Sequence, residues 1–198
     1  MAKQRELLIL RHAKSDWESD AKTDFDRPLA RRGHRDAPAM GKWMNQQKLA
    51  PDYIISSPAM RAKQTVDAVT KELGIAHKHI HFNQKIYLAS AESLLQILAE
   101  CPKTAKQILI VGHNPGLDDL LQHLVDKPPL TGDGKLLTTA CLARIALPED
   151  WTQLPHHCGQ LVAIIRPRDT HIQAQGCPLD SREEACGALR IPLQCGIQ

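Results

Sequence analysis

The chain has 198 residues, a formal net charge of +3 and 42% apolar residues, as expected for a globular domain with a well-buried core. Aromatic residues make up only 4%, and no run of lysines or arginines resembles a nucleic-acid-binding tail, so nucleic acid is not an expected partner. No apolar stretch is long enough to span a bilayer, and the N-terminus lacks a signal-peptide pattern. We therefore expect a cytoplasmic protein, without a membrane partner, whose six cysteines are reduced thiols.

The first half of the chain alternates short apolar runs with amphipathic segments. The pattern predicts a buried strand at Glu6–Leu10, a polar loop from residue 13 to about residue 32, and a helix over Arg35–Gln47 with Pro38 in its first turn. A second strand follows at Tyr53–Ser56. Pro58 then opens a helix that ends at Gly74 and carries Met60, Val66, Val69 and Leu73 on its apolar face.

The second half continues the alternation. It predicts a weak strand at His79–Phe82, a helix capped by Ser90 that buries Leu94, Leu95 and Leu98, a strand at Gln107–Val111, a helix from Pro115-Gly116 through Leu124, and closing strands at Ala140–Leu147 and Gln160–Ile165. This order predicts an α/β three-layer sandwich with a mostly parallel central sheet flanked by helices. We assign residues 1–168 to this domain. Residues 169–198 form a C-terminal extension with only a weak helical signal at Ser181–Leu189.

Basic and imidazole side chains follow three of the predicted strands. The first strand ends in Arg11-His12, the second leads into a helix with Arg61 in its first turn, and the fourth ends in Gly112-His113-Asn114. In open α/β sheets, ligands bind outside the carboxyl ends of the strands, and helix N-termini favour anions there. The sequence therefore predicts an anion site, and a tetrahedral phosphate suits it best.

The chemistry of phosphoryl transfer assigns a role to each of these residues. Arg11 and Arg61 are expected to neutralise the phosphoryl oxygens, because a guanidinium presents a fixed fork of donors. His12 is the expected nucleophile, since a neutral imidazole can attack phosphorus. His113 is expected to be a cationic donor, and the backbone N–H groups near Asn114 add to it. Lys14 and Ser15 are expected to contact substrate from the loop after His12.

Three segments together resemble a known superfamily. Leu8-Ile9-Leu10-Arg11-His12-Ala13, Ser56-Ser57-Pro58 through Arg61 to Thr65, and Val111-Gly112-His113-Asn114-Pro115-Gly116 are similar to the three conserved blocks of the histidine phosphatase superfamily, which has the phosphoglycerate mutase-like fold. The segments Arg27–Leu29 and Arg32-Gly33 are most similar to its SixA-type phosphohistidine phosphatases. The resemblance covers about residues 6 to 168. It implies His12 as phospho-acceptor and Arg11, Arg61 and His113 as the phosphate pocket, without a metal or other cofactor.

The sequence departs from the superfamily at the proton donor. Many members have a glutamate after the third strand that protonates an alkoxide leaving group, but residues 84–89 contain no acid. Asp16 and Glu92 are the remaining candidate acids, although Glu92 also suits a helix N-terminus. An ester substrate needs such an acid more than a phosphohistidine does, because the imidazole can carry a proton and leave neutral. The departure, which the SixA-type group shares, favours a nitrogen–phosphorus substrate.

Other motifs allow more than one interpretation. His77, His79 and His81 would share one face of a strand and could bind a metal or simply face solvent. His156-His157-Cys158 lies in a loop, and Trp17 either selects substrate or anchors the core. Cys177, Cys186 and Cys195 recur every nine residues, which is not a zinc spacing; a redox role and coincidence both remain open.

The leading hypothesis is a metal-independent phosphatase with a phosphohistidine intermediate on His12. Its expected partner is the phosphohistidine of another protein or a small phosphorylated molecule. Two alternatives remain: an ester phosphatase or phosphomutase of the same superfamily, and a non-catalytic phospho-binding module. The sequence carries no prediction of oligomeric state.

Overall fold

The computed structural model describes residues 5–129 and 136–170. Its helices are α1 (Arg31–Gln46), α2 (Met60–Glu72), α3 (Ala91–Ala99) and α4 (Gly116–Leu124), and its strands are β1 (Arg5–Arg11), β2 (Tyr53–Ser56), β3 (Ile80–Phe82), β4 (Gln107–Gly112), β5 (Leu142–Leu147) and β6 (Gln160–Ile165). The expected extension beyond residue 170, including the helix at Ser181–Leu189 and Cys177, Cys186 and Cys195, lies outside the described residues.

The six strands form one sheet in the order β3-β2-β4-β1-β5-β6. The first four in this order run parallel, and β5 is antiparallel to both of its neighbours. The register pairs Leu10 with Val111 and Arg11 with Gly112, so β1 and β4 end at the same level. The residues that follow these two central strands, His12 and His113, therefore lie side by side at the carboxyl edge.

Helices cover both faces of the sheet. Leu8 and Leu10 of β1 belong to the buried cluster that includes residues of α1 and α2, whereas Leu7 and Ile9 belong to the cluster with α3 and α4. Because successive strand side chains point to opposite faces, an unbroken apolar strand is stable only when both faces are covered. The predicted mostly parallel three-layer α/β sandwich is confirmed.

Several predicted boundaries are wrong. Helix α1 begins at Arg31 rather than Arg35, so Pro38 lies inside it and not in its first turn. The earlier start follows from tertiary contacts, since the backbone N–H of Ala30 donates to the carbonyl of Lys14 (2.9 Å) and a Cβ at Gly33 would lie 2.2 Å from that same oxygen. Strand β5 begins at Leu142 rather than Ala140. Met60, expected on the buried face of α2, is 38% exposed because it is the first residue of that helix.

The expected strand face of three histidines is absent. His77–His79 form a short 3-10 turn, and only His81 lies in β3. The ring of His77 pairs with the carboxylate of Asp67 (2.7 Å), and His81 stacks on Tyr53. Within residues 5–129 and 136–170, no group of three or more His, Cys, Asp or Glu side chains is placed to hold a metal ion.

None of the helices in the described part of the chain is long and apolar enough to cross a membrane. The cytoplasmic location stays a prediction from the sequence.

Gly116 is the first residue of α4, and it packs against the backbone of Ala89 just before α3. A Cβ at this position would lie 1.9 Å from the carbonyl oxygen of Ala89, so Gly116→Ala must displace either α4 or the segment before α3. We expect this variant to lose about 1–3 kcal/mol of unfolding free energy, measurable by urea denaturation. A midpoint unchanged from wild type would show that the segment around Ala89 yields without cost.

Candidate active site

A cleft of about 360 Å³ opens at the carboxyl edge of the sheet. Strand ends β1 and β4 form its floor, and the loop between β1 and α1 forms one wall. Polar side chains dominate its lining, which consists of Arg11, His12, Lys14, Ser15, Trp17, Asp24, Arg27, Arg61, Leu88, His113, Asn114 and Thr139. The structure thus brings together Arg11, His12, Arg61 and His113 from three separate strand ends.

Backbone contacts hold His12 in place. Its backbone N–H donates to the carbonyl of Gly112 (3.1 Å), which ties the end of β1 to β4. Its ring Nδ1 lies 2.8 Å from the carbonyl oxygen of Ala13. A carbonyl can only accept, so in the neutral ring Nδ1 carries the proton and Nε2 keeps the free lone pair. The side chain therefore presents a nucleophilic nitrogen.

The charge state of His12 suits that chemistry. Burial, with further contributions from His113, Arg61 and Arg11, outweighs the Ala13 hydrogen bond and lowers the pKa of His12 to about 3. The ring is thus neutral at neutral pH, and a proton does not block Nε2. His113 lies beside it, with ring centroids 5.0 Å apart.

His113 is also neutral in the structure, so its expected role as a cationic donor requires that it gain a proton when substrate binds. Burial, followed by the charge of Arg61, lowers the pKa of His113 to about 4. Its Nε2 lies 2.8 Å from the hydroxyl of Ser57, and its buried Nδ1 has no partner among the described residues. A phosphoryl dianion beside this ring would favour protonation, so His113 can take up a proton when an anion enters.

Arg11 is the last residue of β1, and its side chain reaches the segment before β5. Its Nη1 donates to the carbonyl of Leu137 (2.7 Å). Burial lowers the pKa of Arg11, while the nearby carboxylate of Asp118 opposes that shift. Its buried Nε has no partner among the described residues, which leaves a donor for an anion.

Asp24 joins two other arginines of the cleft. Arg61 donates through Nη1 to the Asp24 carbonyl (2.5 Å) and through Nη2 to Oδ2 of the carboxylate (2.8 Å). Arg27 donates through Nη2 to Oδ1 (2.6 Å), and its guanidinium lies 3.5 Å from the centroid of the Trp17 ring. Both arginines are buried. One loop residue therefore sets the orientation of two guanidiniums.

The Asp24 carboxylate is ionised. Partial burial by itself would raise its pKa, but hydrogen bonds from Tyr87 and Arg61, together with the charges of Arg61 and Arg27, outweigh burial and hold the pKa below its ordinary value. Tyr87 donates its hydroxyl to Oδ2 (2.9 Å). Asp24 is therefore a hydrogen-bond acceptor and not a proton donor.

The other predicted site residues divide into two groups. Lys14, Ser15 and Asn114 line the cleft; the amide group of Asn114 donates to Asp118 and to the carbonyl of Leu137. The two candidate acids do not line it. Asp16 accepts the backbone N–H of Glu18 (3.0 Å), and Glu92 is an exposed residue in the first turn of α3.

The sequence did not predict Asp24 as a site residue. Arg27 was noted only because Arg27–Leu29 resembles the SixA-type phosphatases. Asp24 is one of five acids in the polar loop between His12 and Pro28, and nothing local separates it from the others. Arg27 stands immediately before Pro28 and is 8% exposed, so the restricted backbone before a proline was the one available signal. Trp17, for which two roles were open, is 73% exposed and is not a core anchor.

The cleft combines the neutral ring of His12 with several N–H donors, most of them on arginine side chains. Buried N–H groups on Arg11, Arg27, Arg61 and His113 have no partners within the described ranges, and unpaired buried donors are costly. A tetrahedral oxyanion would satisfy several of them at once. An α/β sheet with this chemistry at its carboxyl edge is suited to bind and transfer a phosphoryl group.

Comparisons with known proteins agree with this chemistry. The model of the histidine phosphatase superfamily (branch 1) matches residues 7–82. The phosphohistidine phosphatase SixA of Escherichia coli is 27% identical over 151 residues, covering 73% of this chain and 86% of that protein. An uncharacterized chloroplastic protein of Arabidopsis thaliana is 29% identical over 123 residues; the match covers 58% of this chain but only 56% of that protein.

A crystal structure described as the phosphohistidine phosphatase SixA of Agrobacterium tumefaciens superposes with a TM-score of 0.67 at 25% identity. It covers 82% of this chain and 98% of its own. The chain is similar to the histidine phosphatase superfamily over residues 7–82, and its fold is the phosphoglycerate mutase-like fold.

The two buried histidines predict an acid-sensitive fold. Histidine in an unfolded chain has a pKa near about 6.5, whereas His12 and His113 have values of about 3 and about 4. The unfolded state therefore binds more protons in this window, so the stabilisation is complete above about pH 6.5 and is lost as the pH falls toward about 4. We expect the melting temperature to fall between about pH 7 and about pH 5, less steeply in His12→Gln.

His34, which is exposed on α1, provides the matched control for that series. His34→Gln should follow the wild-type pH dependence. If His12→Gln also follows the wild-type curve, the neutral state of His12 in the folded protein is contradicted.

Proposed function

We propose that this chain is a metal-independent phosphatase that transfers the phosphoryl group of its substrate to His12 and then to water. The substrate we propose is phosphohistidine on a partner protein. The observation that carries the proposal is the hydrogen bond from Nδ1 of His12 to the Ala13 carbonyl (2.8 Å). It leaves Nε2 of a neutral ring free, inside a cleft lined by Arg11, Arg27 and Arg61.

In the first step, Nε2 of His12 attacks phosphorus while the bond from phosphorus to the leaving atom breaks. The electron pair of that bond stays on the leaving group. The guanidiniums of Arg11 and Arg61, which line the cleft, neutralise the negative charge on the phosphoryl oxygens. In the second step, water attacks the phosphorus on His12, inorganic phosphate is released, and the ring returns to its neutral form.

The carboxyl group that lines the cleft is that of Asp24, and because it is ionised the cleft favours a nitrogen leaving group. An alkoxide needs a proton from an acid, but Asp24 is ionised, and Asp16 and Glu92 do not line the cleft. The imidazole of phosphohistidine can be protonated on its second nitrogen before the bond breaks, and it then leaves as a neutral molecule. The SixA name of the relatives in Escherichia coli and Agrobacterium tumefaciens supports the same substrate class.

The proposed function is tested with three substrates: phosphoimidazole, para-nitrophenyl phosphate, and a protein domain carrying phosphohistidine. We expect His12-dependent hydrolysis in all three assays, unchanged by EDTA, with the highest kcat/KM for the phosphorylated domain. Loss of activity in EDTA that is restored by a divalent cation would contradict metal independence. A preference for para-nitrophenyl phosphate over both nitrogen–phosphorus substrates would favour an ester phosphatase instead.

A further inference from the structure

Asp24 is an unexpected residue at a phosphate site. Its carboxylate lines the cleft and lies within 3 Å of donors on Arg27, Arg61 and Tyr87. As an anion, it repels a phosphoryl dianion and cancels part of the positive charge that the arginines supply. Holding the two guanidiniums in place is one function of this residue, because each carboxylate oxygen accepts from a different arginine.

The carboxylate also retains the capacity for another hydrogen bond. A carboxylate has about four acceptor sites, and the contacts with Arg27, Arg61 and Tyr87 use three of them. The side chain is 45% exposed, whereas Arg61 and Arg27 beneath it are buried. The carboxylate of Asp24 is therefore more accessible to a substrate in the cleft than the two guanidiniums that it holds.

A cationic leaving group accounts for an anion at this place. When phosphohistidine reacts, one imidazole nitrogen carries phosphorus and the other carries a proton, so the ring is a cation until the bond breaks. Charge-assisted hydrogen bonds between such an N–H and a carboxylate are about twice as strong as neutral ones. An unprotonated ester leaving group goes from neutral to anionic as the bond breaks, whereas the imidazole goes from cationic to neutral, so the carboxylate repels only the ester product.

We propose that Asp24 selects nitrogen–phosphorus substrates by accepting a hydrogen bond from the protonated imidazole nitrogen of the leaving group. This inference rests on the proposed function and names the residue that sets its substrate class. The bond between phosphorus and the imidazole nitrogen breaks, its electron pair remains on that nitrogen, and the ring leaves neutral with its proton on the other nitrogen. Asp24 stays ionised throughout, and Nε2 of His12 gains the phosphoryl group.

The test compares leaving groups in the Asp24→Asn variant, which keeps the size of the side chain but removes its charge and one of its two acceptor oxygens. We measure kcat/KM for phosphoimidazole and for para-nitrophenyl phosphate. The ratio of the first to the second is expected to fall by about tenfold or more, because a charged hydrogen bond contributes about 1.5–3 kcal/mol. Asp24→Glu should restore part of the ratio. Asp26→Asn, on an exposed residue of the same loop that does not line the cleft, should leave it at the wild-type value.

A purely structural role gives a different result. If Asp24 only holds Arg27 and Arg61, Asp24→Asn lowers both activities by the same factor and the ratio stays constant, which overturns the inference. That outcome leaves the proposed function intact, provided that the wild type hydrolyses phosphoimidazole through His12. A wild-type chain that does not hydrolyse phosphoimidazole contradicts the proposed function itself.

Discussion

His12→Ala is expected to lower kcat for phosphoimidazole and para-nitrophenyl phosphate by about 10³-fold or more, because the variant has no nitrogen to accept the phosphoryl group. The neutral ring of His12, with Nδ1 held by the Ala13 carbonyl, is the one imidazole of the cleft whose second nitrogen is placed as a nucleophile. Steady-state assays measure the loss. Rapid quenching with labelled substrate should trap an acid-labile, base-stable phosphoenzyme in the wild type and none in the variant.

A control variant makes this result specific. His34→Ala removes an exposed histidine from α1 and should retain wild-type activity and label. Near-wild-type activity in His12→Ala, or label on a residue other than His12, would contradict the assignment of the nucleophile. Circular dichroism of both variants shows whether a loss of activity reflects chemistry rather than unfolding.

Arg61→Ala is expected to lower kcat by about 10²- to 10³-fold, the usual cost of removing one preorganised donor from a developing negative charge. Arg61 is 3% exposed and binds both the backbone and the carboxylate of Asp24. The variant therefore also releases the loop that carries Arg27. Arg61→Lys should recover little, since an ammonium lacks the planar fork that spans Asp24 and a phosphate oxygen.

The inhibition constant of inorganic phosphate provides a second measurement on the same variant. It should rise in Arg61→Ala, because the cleft loses a cation that faces the anion. Arg35→Ala removes an exposed arginine that pairs with Asp36 on α1 and should change neither kcat nor phosphate inhibition. Wild-type phosphate inhibition in Arg61→Ala would show that this guanidinium serves only to hold the loop.

The parts of the fold that the sequence predicted depend on local patterns. Gln107–Gly112 and Tyr53–Ser56 are strands because each is a short apolar run between turn residues. The side chain of Ser90 accepts the backbone N–H of Ser93 and caps α3 as expected. The start of α1 was wrong because it depends on contacts between Ala30, Gly33 and the Lys14 carbonyl, and hydrophobic periodicity carries no information about such a contact.

The candidate site also combines features that follow from element order with features that depend on tertiary contacts. Arg11, His12, Arg61 and His113 were identifiable because parallel strands end at one edge of a sheet, and that rule follows from element order alone. The Asp24 bond to Arg61 joins residues 37 positions apart, and loop geometry decides which of several acids makes it. The neutral state of His113 was not predictable from the sequence, because burial and the charge of Arg61 lower its pKa.

The sequence by itself therefore determined the α/β class and the set of basic and imidazole side chains at the strand ends, because chain order and hydrophobic pattern control where parallel strands end. Only the tertiary structure decided that His12 and His113 are neutral and that Asp24 joins Arg27 to Arg61. Those properties depend on desolvation and on distances between side chains from different elements, which are defined only once the loop after β1 has packed against α2.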